Sequence, residues 1–155
     1  MTVSIGPSVL DISLCIPDLR TRKKESVLQE LVDCAHRTGA VREPSLLHEM
    51  LCLRERLGPT AVGKAVAVPN ARSIAVFEPR LVFGRSRRGI DWKADDPTPV
   101  QLVFLVLGPG DQSLDAHHEL MSRAVSFTRL QRNRNRLLEA PTLEAMTAVL
   151  REMLS

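Results

Sequence analysis

The sequence predicts an α/β fold in which helices cover both faces of a largely buried sheet. Three observations carry that prediction. Short apolar runs of strand length alternate with segments whose apolar residues recur at helical spacing. Val100 to Leu107 is a nearly continuous apolar run, bounded by Asp95-Asp96-Pro97-Thr98-Pro99 and Gly108-Pro109-Gly110, which is the pattern of a central strand buried on both faces. The helical segments show single apolar stripes, as helices do when they lie on a sheet.

Taken in order, residues 1 to 10 show little periodicity, and residues 1–7 read as a short leader to one domain spanning 1–155. Ile12, Leu14 and Ile16 then alternate with Asp11, Ser13 and Cys15 up to Pro17, which predicts a half-buried first strand. Arg22-Lys23-Lys24-Glu25-Ser26 opens a helix with Val27, Leu28, Leu31, Val32 and Ala35 on its inner face, closing near Thr38-Gly39. Glu43-Pro44-Ser45 starts a second, because proline is tolerated in the first turn and serine can cap it. Its apolar positions are Leu46, Leu47, Met50, Leu51 and Leu57. It ends at Gly58-Pro59, with Arg54 in the last turn, where the helix dipole favours a cation.

Gly63-Lys64-Ala65-Val66-Ala67-Val68-Pro69-Asn70 follows. Alternating small and apolar residues run into a proline, so a strand is expected to stop there and present Asn70 at its mouth. Ile74 to Glu78 and Leu81 to Phe83 read as two strands broken by Pro79. Arg85-Ser86-Arg87-Arg88-Gly89 reads as a solvated basic turn, or a contact for an acidic partner, before Ile90-Asp91-Trp92 resumes the sheet. After the central run, a helix starting near Asp111 to Asp115 carries His117, Leu120, Met121, Ala124, Val125 and Thr128 on one side, with His118 at the stripe's edge. Arg129, Arg132, Arg134 and Arg136 read as a solvated helix face, the alternative being a docking patch. Pro141-Thr142 caps a last helix whose inner face is Leu143, Met146, Val149, Leu150, Met153 and Leu154.

Composition narrows the function classes. The chain has 155 residues, 44% of them apolar and 25% charged, which suits one soluble domain with a core able to fold alone. It contains no apolar run long enough to span a bilayer and no secretory pattern at its start, so a cytoplasmic location is expected. Cys15, Cys34 and Cys52 lack Cys-x-x-Cys spacing, so buried thiols are expected, with neither a disulfide framework nor a zinc site and no cofactor. A net charge of +3 permits an acidic partner, and 3% aromatic residues leave few platforms for bases, which makes nucleic acid an unlikely ligand.

The stretch Gly63 to Asn70, preceded by Arg54-Glu55-Arg56-Leu57-Gly58-Pro59-Thr60, resembles the active-site signature of phosphotransferase-system enzyme IIA domains of the fructose, mannitol and nitrogen-regulatory type, EIIA type 2. That signature reads Gly-x-x-x-Ala-x-Pro-His, and its histidine carries the phosphoryl group. Here Asn70 stands in the histidine's place. The resemblance covers residues 8 to 153 and implies a mixed five-stranded sheet between helices. It implies an anion pocket built from Arg54, Thr60 and Gly63, and a second histidine beside the first, for which His118-Glu119-Leu120 fits the family's register better than His117.

An imidazole accepts a phosphoryl group because one ring nitrogen keeps an in-plane lone pair and its pKa lies near neutrality. A carboxamide nitrogen has its lone pair drawn into the carbonyl, so it can bind an anion without reacting with it. The expected function is therefore a regulatory protein-binding domain that is not phosphorylated at the usual site. Its partner would be a regulatory target protein or the histidine phosphocarrier protein. The alternatives are an active phosphocarrier using His118 and an anion-sensing domain.

Overall fold

A computed structural model describes residues 5–155, so residues 1–4 of the expected leader lie outside the described residues. Its centre is a mixed sheet of six strands: β1 (Cys15–Ile16), β2 (Ala61–Gly63), β3 (Val66–Ala67), β4 (Asn70–Ser73), β5 (Arg80–Ile90) and β6 (Val100–Pro109). The order is β1-β5-β6-β3-β2, and β4 lies beside the second half of β6. The apolar run is thus the middle strand. It pairs antiparallel with β5 and parallel with β3 and β4. Val68-Pro69 divides β3 from β4, because proline brings no N–H to the ladder, which makes six strands where the resemblance implies five.

Period-two alternation along β6 feeds two cores. Val103, Leu105 and Leu107 face one layer with α1 (Lys24–Arg37) and α2 (Pro44–Leu57), where Val27, Leu28, Leu31, Leu47 and Leu51 are fully buried. Leu102, Phe104 and Val106 face the other, formed by α3 (Asp115–Thr128), α4 (Gln131–Glu139) and α5 (Leu143–Leu154). Phe83 on β5 sits opposite Phe104, the ring centroids 4.9 Å apart in a tilted pair. Val9 and Leu10 are buried in the same second core.

Three local expectations are corrected. The expected first strand is a 3-10 turn over Ile12–Leu14 with only Cys15–Ile16 extended, because the Asp11 carboxylate accepts the Ser13 N–H at 2.8 Å and folds the chain. Ile74 to Glu78 is a turn and not a strand. Ser73 organises it, its hydroxyl and carbonyl accepting the Ala75 and Val76 N–H groups.

The third correction concerns Arg85 to Gly89, which continues β5 and is not a loop. Arg85 is only 3% exposed. Its Nε donates to the Pro17 carbonyl at 2.9 Å, and its Nη1 donates to the Leu137 and Ala140 carbonyls at 2.8 and 3.0 Å. The guanidinium thereby caps the C-terminal end of α4, where carbonyls lack intrahelical partners. Gly89, at φ +87°, absorbs the register shift before Ile90 rejoins β6, and a Cβ there would lie 2.5 Å from Pro99. Within this basic cluster Arg85 is a buried tie between sheet and helix, while Arg87 and Arg88 are exposed. On α4 itself Arg132 and Arg136 are exposed, as expected, while Arg134 donates to the Thr128 carbonyl at the end of α3.

Replacing Arg85 by Met should therefore lower stability by about 2–4 kcal/mol, since charged hydrogen bonds to the buried Leu137 and Ala140 carbonyls and the half-buried Pro17 carbonyl are lost. Arg88→Met, on an exposed position of the same strand, should stay within about 0.5 kcal/mol of the parent. Urea unfolding midpoints of the two variants decide between a buried tie and a solvated turn.

Candidate functional site

The site lies where β4 begins, alongside the C-terminal half of β6, with Asn70 opposite Val106 and Arg72 opposite Gly108. Crevices at the carboxyl ends of parallel strands are where open α/β sheets collect ligands. The connection from β6 into α3 brings His117 back over Gly108. A Cβ at Gly108 would come within 3.0 Å of His117 Nδ1, so a glycine lets the ring lie flat against the strand.

Asn70 is held from two sides. Its amide Nδ2 donates to the Val68 carbonyl at 3.2 Å, and its Oδ1 faces His117 Nε2 at 3.3 Å. Because Nδ2 meets a carbonyl, Oδ1 must be the atom towards histidine, which assigns the ring proton to Nε2. His117 is 5% exposed, and its Nδ1 is buried without a partner among the described residues. Burial first, and then the charges of His118 and Arg72, push its pKa from 6.5 down to about 4. The ring is neutral at physiological pH.

Arg54, Arg72 and His118 share a cleft of about 350 Å³ with Asn70 and His117. Arg54 donates to the Gly58 carbonyl at 2.7 Å, just beyond the end of α2. Arg72 donates to the carbonyls of Gly110 and Gln112, pinning the loop that leads into α3. His118 is exposed at the rim. His117 and not His118 meets the carboxamide, because the helix turns successive side chains by about 100° and only the first lies over the sheet. Of the cleft's residues, His117 reads in sequence as an inward-facing stripe residue that fits the family's register less well than His118, and Arg72 is not singled out in the sequence.

Thr60 and Gly63 are not brought to this cleft. Gly63 borders a separate hollow beside Asp95 and Asp96, where its φ of +88° opens the turn between β2 and β3. Lys64 and Ala65 complete that turn at φ +56° and +65°. Their left-handed backbone costs roughly 1 kcal/mol each. The Ala65 carbonyl accepts the Gln101 and Leu102 N–H groups, which locks the hairpin to β6.

Thr60 acts from beneath. Glu55, on the buried face of α2, accepts the Thr60 hydroxyl and N–H, and lies 3.4 Å from Lys24 Nζ. The Thr60 carbonyl accepts the Val68 N–H at 3.0 Å. The Val68 carbonyl in turn receives Asn70 Nδ2. A buried carboxylate is thus connected, through Thr60 and Val68, to the orientation of the carboxamide. Lys24 also stacks 5.9 Å over the Trp92 ring.

The chain is similar to known proteins both in sequence and in fold. A family model described as "Phosphoenolpyruvate-dependent sugar phosphotransferase system, EIIA 2" matches residues 8–153. A nitrogen regulatory protein of Bradyrhizobium diazoefficiens is 33% identical over 135 residues, 87% of either chain. The fructose-specific EIIABC component of Bacillus subtilis is 27% identical over 135 residues, 87% of this chain, which spans only 21% of that protein's length. The crystal structure of nitrogen regulatory protein IIA-Ntr from Neisseria meningitidis superposes with a TM-score of 0.84 at 27% identity, covering 92% of this chain and 96% of that one.

Two predictions belong to this network. Glu55→Gln leaves Lys24 buried without its counter-charge and should cost about 3–5 kcal/mol, whereas Arg56→Gln, its exposed neighbour, should cost less than about 0.5 kcal/mol. Equilibrium urea titrations at pH 7 measure both. The depressed pKa of His117 means that the unfolded chain takes up its proton first. Its contribution, up to roughly 3 kcal/mol, is present above pH 6.5 and disappears as pH falls towards about 4. His117→Gln should flatten the stability profile over that window, and an unchanged slope would contradict the assignment.

Proposed function

The chain belongs to the EIIA type 2 family of the phosphoenolpyruvate-dependent sugar phosphotransferase system, and from that premise we propose that it is a regulatory protein-binding domain closed to phosphorylation at the family's usual position. The observation that carries this reading is the bonding of Asn70. Its amide donates to Val68 and its oxygen faces a neutral His117, so the side chain is satisfied without any charge. No nucleophilic lone pair is offered at that point of the cleft.

What remains around Asn70 suits recognition. Arg54, Arg72 and His118 line an open cleft, and nothing about them depends on a covalent phosphate. In a domain whose partner contacts are governed by phosphorylation, a carboxamide at the acceptor position fixes one state of the switch. Contact with a target would be constitutive, and set by the amounts of the two proteins.

Anion sensing is a second reading, favoured by one observation: two guanidinium groups and a primary amide border the same cleft. Thermal stabilisation by inorganic phosphate would support it through mass action on the folded state.

The phosphotransfer assay tests the main reading. Wild type incubated with phosphoenolpyruvate, enzyme I and the histidine phosphocarrier protein should acquire no stable label, while Asn70→His should acquire it. Labelling of wild type would overturn the proposal, and loss of that label in His118→Ala would establish the phosphocarrier alternative.

A further inference from the structure

We infer that the apolar ridge of α2 and the basic cleft beside it form one docking surface, whose occupant is an acidic amphipathic segment of a partner protein. This rests on the reading of the chain as a protein-binding domain and adds the chemistry of the partner.

The ridge consists of Leu46, Met50, Leu53 and Leu57, spaced four, three and four residues apart. That spacing places them on one helix face, away from the buried Leu47, Leu51 and Glu55. Leu57 is 86% exposed and Leu53 49%, unusual for a helix that already has a buried face. Leucines at this interval match the seam by which one helix accepts another. Met50 belongs to ridge and cleft alike, and across the cleft Leu114, also exposed, supplies the opposite apolar lip.

Charge selects the occupant. Among the described residues lining the cleft, Arg54 and Arg72 are the two guanidinium groups, His117 and His118 the imidazoles, and no carboxylate is present. Neither arginine makes a salt bridge among the described residues, and both spend hydrogen bonds only on backbone carbonyls. Two cationic groups beside an apolar ridge attract Asp and Glu side chains flanked by Leu, Met or Phe. A second copy of this chain is disfavoured, because a two-fold contact over this face sets the same arginines against each other. A basic segment meets the same repulsion.

The test places photo-reactive benzoylphenylalanine at Leu53, and separately at Leu57, in the full chain within the cells that make it. Both positions are exposed, so folding is preserved, which circular dichroism verifies. Irradiation should trap a segment of another protein in which Asp and Glu outnumber Lys and Arg and apolar residues recur three and four apart. The yield should fall about tenfold or more in Arg54→Glu/Arg72→Glu, and likewise when irradiation is repeated in extract raised from about 0.05 to 0.5 M salt, where exposed charges are screened. Benzoylphenylalanine at Leu130, exposed at the start of α4, should not trap that segment. A basic segment, a second copy of this chain, no adduct at all, or a yield indifferent to charge reversal would each overturn the inference. Those results leave the proposed closure to phosphorylation at Asn70 standing, whereas label on the wild type overturns the proposed function without touching the chemistry of a trapped segment.

Discussion

The Glu55 carboxylate is the constraint on which the site depends. A buried carboxylate costs several kcal/mol in lost hydration and survives only where counter-charge and donors meet it. Lys24 from α1 provides the charge, and Thr60 provides both a hydroxyl and an N–H. This arrangement joins the two helices of one layer to the turn that follows α2. From Thr60 the hydrogen bonds run through the backbone to Val68 and thence to Asn70. Replacing the carboxylate would free the segment on which the site hangs, although the carboxylate itself touches nothing in the cleft.

The chemistry at the end of that chain follows from the kind of side chain it holds. Asparagine fills both hydrogen-bonding directions with neutral partners, so its position is defined without any ligand. His117, packed on Gly108, is kept uncharged by its burial and by the cations near it. Positive charge is displaced to the rim, where Arg54 and Arg72 border the cleft. The cleft therefore has a neutral floor and a cationic edge. Such a distribution is what the proposed recognition of an anionic or acidic partner calls for.

Much of the architecture was legible in the sequence, and the reasons differ by element. Val100 to Leu107 identified the central strand because burial on both faces removes polar residues from a short run. The span of α2 was legible because Pro44 and Gly58 punctuate it at either end. Short-range side-chain capping escaped the pattern: Asp11 and Ser73 bend their segments through single hydrogen bonds that hydrophobic alternation does not record. Arg85 escaped for the opposite reason, since its partners Pro17, Leu137 and Ala140 are distant in sequence and only the fold brings their carbonyls together. At the site, Arg54, Asn70 and His118 share one cleft, whereas Thr60 supports it from below and Gly63 serves a neighbouring hairpin. Spacing along the chain does not separate a residue that lines a cavity from one that holds its wall.

The most direct measurement of the central claim is a long-range proton–nitrogen correlation spectrum of the His117 ring and the Asn70 side-chain amide at pH 7. If the buried carboxylate fixes the carboxamide as described, His117 is neutral with its proton on Nε2, and one Asn70 amide proton exchanges slowly because it is bound to the Val68 carbonyl. A protonated imidazolium, a proton on Nδ1, or an Asn70 amide exchanging as freely as one in solvent would contradict the account.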